Sequence, residues 1–193
     1  MSFLKKIRYN SPVILTYSFT ALLVLIIGII TDRWLIFKLF SVYRSSPLDP
    51  LTYIRMFTYV LGHIDFSHYI ANMLLMLIVG PPLEEKYGSK KLLIAITLTA
   101  FVGALVQIIF FPNTSLLGAS GVVFMMIVLS SFAGMEKGSI PLTLIIVIII
   151  YLGQEILQGI TIKDNISQFT HIMGGLCGIF IGFSYSKSSI YKK

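Results

Sequence analysis

Apolar runs near the length a helix needs to cross a bilayer recur along the whole chain, and they constrain its fold more than any other feature. They fall at about 13–30, 66–80, 92–111, 117–133, 142–160 and 169–185. Each is close to the ~20 residues that span a ~30 Å hydrocarbon layer. Hydrophobic residues make up 56% of the 193 residues and charged residues only 12%, about half the charged share of a soluble domain. The chain is therefore expected to be a single all-α polytopic membrane domain of six transmembrane helices over residues 1–193. With both ends short, no separate regulatory domain is expected. The first run follows Lys5, Lys6 and Arg8. It is longer than a signal-peptide core and lacks a convincing cleavage site, so it is read as a retained span.

The formal net charge is +7. In a soluble protein such a balance would suggest nucleic acid. Here the basic residues sit in short loops and tails, where they set topology. With the N-terminus inside, the inner face carries Lys5, Lys6, Arg8, Lys86, Lys90, Lys91, Lys137, Lys187, Lys192 and Lys193. The outer face carries Arg33, Lys38, Arg44, Arg55 and Lys163. That bias predicts N-in and C-in, and no nucleic-acid partner. The lone cysteine, Cys177, excludes an intramolecular disulfide and a cysteine-built zinc site.

Residues 31–65 mix scattered charge with aromatics and read as a loop lying partly in the membrane interface. The second span is expected to stop at Pro81-Pro82, with an aqueous turn over 84–91. Spans two, four and six then all begin at the outer face. His68 and Asn72 lie near the start of the second, Ser120 near the start of the fourth and His171 near the start of the sixth. At ~1.5 Å rise per residue, all four fall within roughly 5–10 Å of the outer boundary.

That shared depth suggests chemistry. A serine hydroxyl is a weak nucleophile until a base takes its proton, and an imidazole titrates in the right range for the task. His171 shares a helix face with Gly174, Gly178 and Gly182, and Ser120 lies between Gly118 and Gly121. Small residues let two backbones approach closely. Spans four and six are expected to touch there, with Ser120 and His171 in hydrogen-bond reach. The first turn of the Ser120 helix offers unpaired N–H groups to a developing oxyanion. His68 and Asn72, four apart, share one face of span two and form a second wall.

The chain resembles the rhomboid family of intramembrane serine proteases, six-span type. Gly118-Ala119-Ser120-Gly121 fits its GxSG motif. His63, His68 and Asn72 fit HxxxxHxxxN, and His171, Gly174 and Gly178 fit HxxGxxxG. Arg55 and Glu84 fall where the family carries a first-loop Arg and a Glu at the cytoplasmic end of span two. The resemblance implies Ser120 as nucleophile, His171 as general base, and His68, Asn72 and the Ser120 amide as oxyanion hole. It also implies transmembrane substrates cut near their outer end, in a membrane lipid setting and without a cofactor. Phe124 stands where family members often carry a tyrosine stacked on the histidine; it keeps the stacking face and loses the hydroxyl. Arg55 and Glu84 are expected to hold loop and helix-end geometry. The expected setting is a prokaryotic plasma membrane.

Plainer readings exist for each residue. Ser120 alone could be packing and His171 a satisfied bundle histidine. His68 and Asn72 could be interhelical glue, and His63 a structural residue. Three histidines could hold a metal, but no HExxH is present. Glu155, with Gln154 and Gln158, could mark a solute pathway or flank a hydrated cavity beside a gate formed by span five. Residues 159–168 are a candidate lid. A non-catalytic client-binding relative would usually have lost the serine or the histidine. A transporter would be expected to show repeats that this chain lacks.

Overall fold

The computed structural model describes residues 8–132, 139–150 and 165–190. Among them the elements run α1 (Pro12–Ile30), α2 (Trp34–Leu39), β1 (Val42–Tyr43), α3 (Pro50–Thr58), a 3-10 turn (Tyr59–Leu61), α4 (Phe66–Tyr87), α5 (Ser89–Phe110), β2 (Ser115–Leu116) and α6 (Ser120–Ser131). Residues 142–150 are helical (α7), and α8 covers Asn165–Ile190. Among the described residues, four helices are long and apolar enough to cross a membrane: Pro12–Ile30, Phe66–Tyr87, Ser89–Phe110 and, within α8, Gln168–Ser186. Their outward faces carry exposed apolar side chains such as Phe19, Leu74, Ile78, Ile109 and Phe180. Water would not tolerate such faces; lipid covers them. The protein is an integral membrane protein.

At the centre stands α6. Met125, Met126 and Leu129 are fully buried, and Val122, Val123, Ile127 and Val128 nearly so. A helix apolar on every side must be enclosed, and α4, α5 and α8 pack around it. The fit against α8 is made by absent side chains. A methyl built on Gly174 would overlap the carbonyl oxygen of Gly121, and one on Gly182 would overlap the Phe132 ring. One on Gly178 would stand 2.7 Å from the Met125 carbonyl oxygen. The glycine stripe is therefore the contact surface itself.

The fold departs from the sequence expectation in four places. First, α4 does not stop at Gly80 but runs through Pro81 and Pro82 to Tyr87. Two prolines cost a helix about 3 kcal/mol each, and tertiary anchoring offsets them. Leu83 and Glu84 are buried. The Glu84 carboxylate accepts the N–H groups of Val13 (2.9 Å) and Ile14 (3.1 Å) and the Ser89 hydroxyl (2.7 Å). These two amides are orphans of the first turn of α1, whose Ser11 makes no side-chain cap; Glu84 caps that helix from a distance. The expected aqueous turn thus begins with a buried carboxylate, and Gly88, at φ +82°, alone joins α4 to α5. Glu84→Ala is expected to cost at least about 2 kcal/mol, because it strands two buried donors; a lowered thermal midpoint in detergent would report it.

Second, the fourth expected span, 117–133, is a helix only over Ser120–Ser131. Gly118 at φ +119° cannot join a right-handed helix, and Ser115–Leu116 is taken by antiparallel pairing, Val42 opposite Leu116 and Tyr43 opposite Ser115. Third, residues 31–65 are ordered structure rather than plain loop. Arg55, 4% exposed, donates Nε–H to the Lys38 carbonyl (2.8 Å), pairs with Asp49 (3.3 Å) and lies over the Tyr43 ring. It ties α2, β1 and the start of α3 together. Fourth, α8 begins at Asn165, four residues before the expected span, since no glycine or proline interrupts 165–170. The remainder of the expected lid, residues 151–160 of the fifth span and Glu155 itself lie outside the described residues.

Candidate active site

Ser120 is the first residue of α6, placed by the turn before it. Gly118 donates its N–H to the Tyr59 carbonyl (3.0 Å), which fixes the turn against the 3-10 segment. Gln107 supports the other side, donating from Nε2 to the Phe111 and Thr114 carbonyls and to the Thr114 hydroxyl (3.2, 3.1 and 2.9 Å). Position 118 must be glycine twice over: its φ is left-handed, and a methyl there would stand 2.8 Å from Cε1 and Nε2 of His68. The His68 ring is therefore seated directly on the turn that presents Ser120.

His68 is itself held by α4's start. Asp65 caps that helix, its Oδ1 accepting the His68 N–H at 2.8 Å. Asn72, buried one turn on, spends one amide N–H on the His68 carbonyl (3.0 Å) and has a second to offer. The expected oxyanion wall thus lies on one face of α4, beside the Ser120 turn.

From the other side comes α8. Thr170 packs on Gly121, its Cγ2 3.1 Å from a methyl built there. The Phe124 ring lies parallel on the His171 imidazole, centroids 4.3 Å apart and planes 6° from parallel. Phe124 follows Ser120 by one helical turn, on the same face. Between Ala119 and Leu129 only Ser120 and Phe124 keep partial exposure; His68 and His171 are half-buried too. All four side chains are thus part-exposed, beside the buried centre of α6. Among the described residues no group of His, Cys, Asp and Glu could hold a metal ion.

His63 sits behind this wall, fully buried. Its Nδ1 lies 3.2 Å from the Leu61 carbonyl oxygen. Burial first, then the neighbouring His68, lowers its pKa from the usual 6.5 to about 4, against a smaller opposing pull from the Leu61 carbonyl. The folded ring is thus neutral where the unfolded one would bind a proton. Its contribution to stability is complete above pH ~6.5 and is lost as pH falls toward 4, on the order of 3 kcal/mol in all. His63→Phe should flatten that stretch of the stability–pH curve.

Sequence reasoning missed Asp65, Tyr59 and Gln107. An Asp three residues before His68 at the start of an apolar run was a readable helix-cap signal. Tyr59 acts through its backbone and Gln107 through a turn, and neither leaves a sequence mark.

A sequence model described as the Rhomboid domain matches residues 50–188. Similar proteins include Rhomboid-related protein 2 of Mus musculus, 28% identical over 156 residues, covering 70% of this chain and 52% of that protein. RHOMBOID-like protein 1 of Arabidopsis thaliana is 29% identical, covering 68% and 34%. Rhomboid protease GluP of Bacillus subtilis (strain 168) is 33% identical, covering 65% and 24%. The chain spans between a quarter and about half the length of these relatives. They come from an animal, a plant and a bacterium, so the likeness gives no support to a specifically prokaryotic setting.

Proposed function

The chain belongs to the rhomboid family, and from that premise we propose that it is an intramembrane serine endopeptidase cutting transmembrane-helix substrates near their outer end. Ser120 is the nucleophile and His171 the general base. The observation that carries the reading is the parallel stack of Phe124 on His171 one turn beyond Ser120. The stack fixes the plane of an imidazole from α8 beside the helix that begins at Ser120, which supports a dyad with no carboxylate to orient the ring.

The domain is a single one of six crossings, N-in and C-in, with the fifth beginning at α7. At 12 residues α6 is about 18 Å long, shorter than the ~30 Å hydrocarbon layer. On this reading Ser120 lies recessed from the outer face, beneath the turn that Tyr59 of the 3-10 segment holds. Non-helical backbone at that depth is tolerated where protein buries it or a wet cavity reaches it. A peptide hydrolase needs that water.

A substrate helix enters sideways, between spans two and five, and unwinds at its outer end, so Gly or Pro near the cut favours cleavage. Ser120 Oγ attacks the scissile carbonyl as His171 takes its proton. The oxyanion forms against the Ser120 amide, the His68 ring and the free N–H of Asn72. His171 returns the proton to the leaving amine, and water, activated by the same imidazole, releases the acyl group. Asn72→Ala is expected to lower turnover at least 10-fold at unchanged KM, since a single oxyanion donor contributes about 10²–10³; steady-state kinetics on a reconstituted substrate check it.

The test of the function is cleavage-site mapping on a panel of single-span proteins in liposomes, with Ser120→Ala as control. Cuts near the outer ends of the substrates, abolished in the variant, are expected. A folded wild type that binds these proteins but never cuts them would favour a client-binding role instead.

A further inference from the structure

We propose that His63 is a positioning residue for the reaction, holding the His68 ring in the oxyanion wall by an edge contact. The inference rests on the reading of Ser120, His171 and His68 as one acyl-transfer site. The ring of His63 meets that of His68 with centroids 5.0 Å apart and planes at 66°, and meets Tyr69 at 5.6 Å and 84°. The His68 ring thus has two close neighbours, the His63 ring and the Gly118 turn, where an added methyl would stand 2.8 Å away.

The chemistry of the contact fits the role. Nδ1 of His63 faces the Leu61 carbonyl oxygen, so Nδ1 carries the ring proton and Nε2 is a bare lone pair. That Nε2 is buried with no hydrogen-bond partner among the described residues. A buried polar atom left unsatisfied costs stability, and an apolar residue would avoid the cost. Retaining an imidazole there makes sense if its shape and edge are what the site uses. Edge-to-face geometry between aromatic rings is directional, so it fixes the neighbour's rotamer where an aliphatic side chain would only fill space. Beside these two neighbours, the Asp65 cap holds the His68 backbone but does not set its ring.

The experiment compares His63→Phe with His63→Leu in the full-length protein, each also in a His68→Ala background. Both substitutions fill the pocket and remove the Leu61 contact equally; only Phe keeps a ring edge. His63→Leu should lower kcat about 10-fold at unchanged KM, and His63→Phe less than 3-fold. In the His68→Ala background both should change kcat less than 2-fold, because the residue they act through is gone. Equal losses for Leu and Phe, or the same 10-fold loss with and without His68, would overturn the proposal while leaving the protease reading intact. Absence of cleavage by wild type would instead strike the protease reading. An activity-independent measurement covers that case. The chain has three histidines, so ring-labelled NMR spectra in micelles resolve each. His63→Leu should shift and broaden the His68 signal and leave His171 in place; an unmoved His68 signal would end the proposal.

Discussion

Reconstituted Ser120→Ala and His171→Ala proteins are expected to leave a single-span substrate uncut, with rates at least about 10³-fold below wild type. The two losses should be of similar size and should not multiply in the double variant. A hydroxyl without a base is scarcely nucleophilic at neutral pH, and a base without the hydroxyl has nothing to activate. Both variants are expected to fold, because Ser120 and His171 are half-buried and lie outside the packed centre of α6. Retained cleavage in His171→Ala would remove the imidazole from the mechanism.

The second large effect is expected at a residue with no functional group of its own. Gly174→Ala places a methyl on the carbonyl oxygen of Gly121, backbone against backbone, where no side chain can give way. The helices must part by an amount on the order of 1 Å, and misplacement of that size can cost about 10²-fold in rate. Gly121 adjoins Ser120, and Gly174 lies three residues beyond His171, so the gap opens between the two groups proposed to react. Activity should fall about 10²-fold and the thermal midpoint in detergent should fall with it. Leu176→Ala, on the exposed side of α8, should change neither by more than a little. Wild-type activity in Gly174→Ala would show that α6 and α8 need not touch for function.

The residues of the proposed site stand out in the sequence because their constraints are local and independent. A serine framed by glycines, a histidine heading a glycine stripe and an i, i+4 polar pair each leave a pattern in the chain. What stayed hidden depends on contacts distant in sequence. Nothing near Pro81-Pro82 announces that Glu84 will cap α1, so the helix was ended where its own sequence says it should end. The brevity of α6 follows from pairing between Tyr43 and Ser115, seventy-odd positions apart, and no periodicity reports it. The ordering of residues 31–65 likewise draws on a buried guanidinium, Arg55, whose partners Lys38, Tyr43 and Asp49 lie up to 17 positions away.

The most direct measurement is covalent labelling of the protein in liposomes by a fluorophosphonate, which reacts only with a serine made nucleophilic by its surroundings. One adduct per chain, mapped by mass spectrometry to Ser120 and absent from Ser120→Ala and His171→Ala, is the expected result. A folded wild-type protein that takes no label, or takes it equally well without His171, would contradict the pairing of these two side chains.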